Sequence, residues 1–246
     1  MPVFTDNMDS HAIGGSNYGF SAKRIDDLGA TEYTLVGIAC DGSSSVTYFR
    51  DEMEKCVKTI VKSCRHSPRS DNLLMRMTLF NSRLAETHGF RPLSECDVDK
   101  YTGSVQTGGS TALYDAAVNM MDSVSQYGAD LVKNDFDVNG IVFVITDGDD
   151  NASAMTPGEV RKSLERAVQS ESLESVVTIL IGVNVQDPGL SQRLKDLSTQ
   201  AGFTQYVELD NADESTLAKL ADFVSRSISA QSQALGTGGP SQSLSF

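Results

Sequence analysis

Five short, apolar, β-rich runs alternate with longer stretches of helical period, and this alternation constrains the fold more than any other feature of the chain. The runs are Thr34 to Cys40 (TLVGIAC), Leu73 to Phe80 (LLMRMTLF), Ile141 to Thr146 (IVFVIT), Val176 to Gly182 (VVTILIG) and Thr204 to Leu209 (TQYVEL). Several are apolar on both faces, as parallel strands must be when helices cover both sides of the sheet. Between them Leu113, Ala117, Met120, Met121 and Val124 recur at helical spacing, as do Val160, Leu164 and Val168. Thr156, Pro157 and Glu159 form a helix-start signal, because a Thr cap, a Pro at the first position and a Glu at the third satisfy free amides. Asp187 and Pro188 repeat the device before Leu190 to Leu197, and Leu217, Leu220, Ala221, Val224 and Ile228 mark one face of a last helix. The expected fold is α/β: a doubly wound, mostly parallel central sheet flanked by helices.

The ends read differently. Met1 to Ala30 carries little periodicity, and Ser229 to Phe246 is too polar to offset its own ordering entropy. The expectation is an N-terminal arm over residues 1–30, one domain over 31–228 and a flexible tail over 229–246, the alternative for the tail being a partner-docking peptide that ends in Leu244, Ser245 and Phe246. With 39% hydrophobic residues in a 246-residue chain, folding needs no staple. A formal charge of −13 argues against nucleic acid and anionic lipid as partners, since both draw their affinity from clustered Lys and Arg. Cys40, Cys56, Cys64 and Cys96 form no CxxC pair; Cys56 and Cys64 fall about 12 Å apart on one helix, too far for a disulfide. Free thiols, no secretory leader pattern and no apolar run of membrane-spanning length lead to the expectation of a cytoplasmic protein.

The residues that carry chemistry lie where strands end and helices begin: Asp41-Gly42-Ser43-Ser44-Ser45 after the first run, Gly108-Gly109-Ser110-Thr111 before a helix, and Thr146-Asp147-Gly148 after the third. If the first and fourth helix-flanked strands are neighbours, about 4.8 Å apart, Asp41 and Asp147 face one small volume, with Ser43, Ser45 and Thr111 around it. A set of hard oxygens without imidazole or thiolate suits Mg²⁺, with Mn²⁺ or Ca²⁺ as substitutes, and two close carboxylates need a cation between them. Asp149 and Asp150 read as a solvated acidic loop or as ligands of a second ion.

DGSSS, GGSTALYDA and VFVITDG resemble, in order and spacing, the three parts of the metal-ion-dependent adhesion site of von Willebrand factor A domains, and LFNSRLAETHGFRPL resembles that family's second strand, polar turn and short antiparallel edge strand. The resemblance runs from about Thr34 to about Ile228. It implies that Ser43 and Ser45 bind the metal directly, Thr111 directly or through water, and Asp41 and Asp147 largely through water. It also implies a non-enzymatic module whose metal accepts an Asp or Glu carboxylate from a protein partner within an intracellular assembly. Val46 departs from the family's usual Met, and Gly42 stands at a permissive position.

The alternative is a magnesium-dependent phosphohydrolase of haloacid dehalogenase-like type with Asp41 as nucleophile. That chemistry wants a second Asp two residues later as acid/base, where this chain has Ser43. Serine hydrolysis lacks a GxSxG elbow and a placed base, since His11, His66 and His88 lie in the arm, at a helix end and near an edge turn. No phosphate-cradling GK[ST] or GxGxxG follows the glycines.

Overall fold

The computed structural model describes residues 8–14, 16–169, 173–234 and 246. Its strands are β1 (Met8–Ala12), β2 (Gly19–Lys23), β3 (Glu32–Asp41), β4 (Leu73–Phe80), β5 (Leu84–Pro92), β6 (Asp137–Thr146), β7 (Val176–Val183) and β8 (Gln205–Leu209). Its α-helices are α1 (Arg50–Arg65), α2 (Leu113–Val132), α3 (Pro157–Gln169), α4 (Pro188–Ala201) and α5 (Glu214–Ala234). The strands form one sheet in the order β1-β2-β5-β4-β3-β6-β7-β8. Strands β4, β3, β6, β7 and β8 run parallel, while β5 is antiparallel to β4 and β1 to β2.

Alternate residues of β3 feed two separate cores, which explains why its sequence is apolar throughout. Val36, Ile38 and Cys40 pack with α1 and α5 through Met53, Ile60, Phe223 and Val224. Leu35 and Ala39 pack on the opposite face with α2, α3 and α4 through Ala117, Met120, Val160 and Leu194. The helix starts also follow the local signals. Glu159 accepts from the Thr156 amide at 2.7 Å, and Asp187 accepts from Leu190 N at 2.9 Å. Val168 departs from the helical pattern: it is 55% exposed rather than turned to the core.

Three expectations about the edges need correction. Residues 8–23, read as part of an arm outside the core, supply β1 and β2, with Phe20 and Ala22 buried. The sheet therefore has more than one antiparallel strand at that side, and β5 is covered by β2 rather than being the edge. Helix α5 continues past Ile228 to Ala234, because buried polar partners await it: Gln231 Nε2 donates to Gly140 O at 2.9 Å, and the Ser232 and Thr34 hydroxyls lie 3.3 Å apart. The remainder of the tail, residues 235–245, lies outside the described residues, as do residues 1–7; the Phe246 ring meets Phe223 edge-on at 5.7 Å.

The N-terminal pair is held by an ionic cluster in the β4 layer. Arg76 is 1% exposed, and its Nε donates to Glu86 Oε1 at 2.8 Å, Nη1 to Ser123 Oγ at 2.9 Å and Nη2 to Asn119 Oδ1 at 3.0 Å. Glu86 in turn accepts from the Ser21 hydroxyl at 2.7 Å, so one charge pair joins β2, β4, β5 and α2. Close approach of β2 to β5 also requires Gly89, where a Cβ would collide with the Ser21 carbonyl. Gly89→Ala is expected to detach β1 and β2 while leaving β3 to β8 paired, with a stability loss of about 1–3 kcal/mol. Amide exchange would show it as lost protection confined to residues 8–23.

Candidate metal centre

The central strands β3 and β6 are adjacent and in register, with Cys40 opposite Ile145, so the chain leaves both at the same edge of the sheet. This is where the strand order reverses direction from β3, and where the crevice of an open parallel sheet opens. Asp41 closes β3 and Asp147 follows β6, as the sequence requires.

Asp41 is fully buried and both of its oxygens are engaged: Oδ1 accepts from Ser43 N at 2.7 Å, and Oδ2 from the Thr146 hydroxyl at 2.8 Å. The Ser43 and Ser45 hydroxyls lie 2.9 Å apart. The second segment is tied onto the first by Ser44 N–H to Gly109 O and Gly108 N–H to Gly42 O, both at 2.9 Å. Thr111 is buried, with its amide donating to Asn151 Oδ1 at 2.8 Å and its carbonyl accepting from the amides of Asn151 and Ala152. The three segments therefore meet through main-chain bonds.

Electrostatics make this a strained place for carboxylates. Burial, reinforced by repulsion from Asp147, raises the Asp41 pKa to about 7 against the opposing hydrogen bonds of Ser43 and Thr146. Asp147 is raised as well, chiefly by burial, and its buried Oδ1 has no hydrogen-bond partner among the described residues. Among those residues no trio of His, Cys, Asp or Glu gathers as an ion site, so a cation here would depend on hydroxyl oxygens. The donor chemistry fits a hard divalent ion, which would relieve the repulsion and satisfy the orphaned oxygen at once.

Sequence reasoning missed the roles of four residues here. Thr146 orients Asp41; its only signal was its place before Asp147. Asp150 is neither free in solvent nor positioned as an independent ligand: its Oδ1 accepts from Leu113 N at 2.9 Å and caps α2. Asp149 pairs with Arg193. Gly42, read as permissive, is constrained here, since a Cβ would lie 2.5 Å from Gln106 O. Gly42→Ala is expected to push the Asp41 loop from the Thr111 loop and to cost about 1–3 kcal/mol, read by urea unfolding. The histidines stay away from this edge: His11 stacks on Phe20 at 4.7 Å, His66 bonds Lys62 O, and His88 is buried against the Tyr101 hydroxyl at 2.7 Å. All four cysteines are free and buried. No helix among the described residues is long and apolar enough to cross a membrane.

Comparison with known proteins agrees with the fold. The chain resembles a pilus adhesin, SpaC, from Lactobacillus rhamnosus GG (TM-score 0.57, 11% identity, 80% of this chain and 30% of that one). It also resembles a mutant PilB minor pilin from Streptococcus sanguinis (TM-score 0.60, 15% identity, 89% and 66%). A third likeness is to proximal thread matrix protein 1 from the mussel byssus, solved with a zinc-occupied MIDAS motif (TM-score 0.50, 17% identity, 81% and 46%). The chain thus spans from under a third to about two thirds of these structures, and at such identities they establish the fold. No curated protein matches. The family model for the von Willebrand factor type A domain matches residues 36–223, which runs from within β3 to the first half of α5 and takes in every segment of the candidate centre, and the chain belongs to that family.

Proposed function

We propose that this chain is a metal-dependent protein-binding module and not an enzyme. Ser43, Ser45 and Thr111 hold a divalent ion, and Asp41 and Asp147 support it largely through water. The observation that carries the reading is the pair of buried carboxylates beside a hydroxyl pair, both raised by burial and Asp41 further by the Asp147 charge, with Asp147 Oδ1 unpartnered among the described residues. Hydroxyl ligands leave the ion under-neutralised, so its charge would attract one more anionic oxygen, supplied by an Asp or Glu of a protein partner. Hard oxygen donors favour Mg²⁺ or Mn²⁺. The mussel protein's zinc makes Zn²⁺ a necessary comparison. The four buried free thiols support a reducing, intracellular setting.

The phosphohydrolase alternative gains nothing from the geometry. Both Asp41 oxygens are held in hydrogen bonds, and Ser43 occupies the position where an acid/base carboxyl would be needed. A random peptide library selected on the wild-type protein in Mg²⁺ tests the proposal. Enrichment of an Asp or Glu, lost in chelator and in Asp41→Ala, is the expected outcome; enriched sequences without an acidic residue, or binding indifferent to chelator, would refute it.

A further inference from the structure

Away from the metal edge, α2, α3 and the turn between β1 and β2 enclose a groove of about 680 Å³. That volume falls within the roughly 300–1,000 Å³ typical of ligand sites. Its apolar surface comes from Val118, Met155 and Tyr18, and its charge from four carboxylates against two cations, Lys162 and Arg166. Arg166 is already paired with Asp122 Oδ1 at 3.2 Å. Asp115 is spent on the amides of Ala154 and Met155. Asp122 Oδ2, Glu159 Oε1 and both oxygens of Glu165 make no hydrogen bond among the described residues, which leaves the wall negative.

A second observation is independent of that charge. Asn119 lines the groove and is only 3% exposed, and its Nδ2 has no hydrogen-bond partner among the described residues. The amide cannot be reversed to hide the donor, because Oδ1 receives Arg76 Nη2 and reversal would set an NH₂ against a guanidinium. An unsatisfied buried donor costs about 1–3 kcal/mol, so an arriving acceptor would be rewarded.

We propose that this groove docks a basic peptide segment of another protein: an Arg or Lys side chain lies along Val118 and Met155 to reach Asp122, Glu159 and Glu165, and a main-chain carbonyl accepts from Asn119 Nδ2. A peptide unites the two requirements, cation and acceptor, within one short segment. The site is separate from the metal edge but shares a loop with it, since Asp115 holds Ala154 and Met155 while Asn151 holds Thr111.

The test is a nitrogen-15 NMR titration of the full chain, in EDTA so that its failure is separable from that of the metal reading. The probe is a blocked heptapeptide with two arginines in a glycine-serine frame, and its citrulline twin is the control. The arginine peptide is expected to bind with a dissociation constant of about 1 mM or tighter, shifting the Asn119 side-chain amide and backbone amides over residues 115–122 and 159–166. Glu165→Lys, an exposed change that should fold normally, is expected to weaken it at least fivefold, as is citrulline. Absence of shifts at that concentration, shifts scattered over the acidic surface, or equal binding by Glu165→Lys would overturn the proposal.

Discussion

Arg76→Ala is expected to lower the unfolding free energy by about 3–5 kcal/mol. The guanidinium is buried between β4 and α2, and its removal strands Glu86 as well as the acceptors Asn119 Oδ1 and Ser123 Oγ. Glu86 is 24% exposed and keeps its hydrogen bonds from Ser21, but a half-buried carboxylate that has lost its guanidinium costs more than the pair contributes, so Arg76→Ala combined with Glu86→Gln should recover part of the loss. Denaturant unfolding of the two single variants and the double checks it. Additive losses would mean that the pair is not energetically coupled.

The same cluster shows where the sequence was opaque. The burial of the Arg inside LLMRMTLF becomes intelligible only once the β4–β5 hairpin turns Glu86 toward it and α2, distant in sequence, brings Ser123. Likewise MDSHA and GFSAK carry too few apolar residues for a periodic signal, because only one face of that outer pair meets the core through Phe20 and Ala22. The central strands were legible for the opposite reason: β3, β6 and β7 bury both faces and leave uninterrupted apolar runs. Asp41, Ser43, Ser45, Thr111 and Asp147 could be singled out because strand-end loops converge wherever parallel strands pair. The bonds that set their positions, from Thr146, Asn151 and Asp150, depend on side-chain directions that spacing does not encode.

In chelator, Asp41→Asn is expected to stabilise the protein at pH 7 by on the order of 1–3 kcal/mol and to make it sensitive to acid. The folded chain raises the Asp41 pKa from 3.8 to about 7, so between those values it binds more protons than the unfolded chain, and stability is lost as pH rises through that window. His88 acts in the opposite sense. Burial lowers its pKa from 6.5 to about 4, so the unfolded chain binds more protons between those values, and the stability present above pH 6.5 is lost as pH falls toward 4. The two slopes oppose each other in the metal-free wild type. Removing the Asp41 charge takes away one of the two carboxylate slopes that oppose His88 and leaves that of Asp147, and Asn can still accept from Ser43 N. Unfolding midpoints from pH 4 to 7 in EDTA would show a shallower profile for the wild type than for Asp41→Asn; a parallel pair of profiles would mean that Asp41 does not titrate as its burial demands.

The central claim, that the Asp41 and Asp147 edge holds a divalent ion, is most directly tested by thermal unfolding of wild type and Asp41→Ala in Mg²⁺, Mn²⁺, Ca²⁺, Zn²⁺ and EDTA. An ion at about 100 times its dissociation constant stabilises by about 2.7 kcal/mol, a rise of roughly 5–10 °C for a chain of this size. That rise is expected in the wild type with at least one of the oxygen-seeking ions, with its loss in Asp41→Ala. A midpoint unmoved by every ion in the wild type, or moved equally in Asp41→Ala, would contradict it.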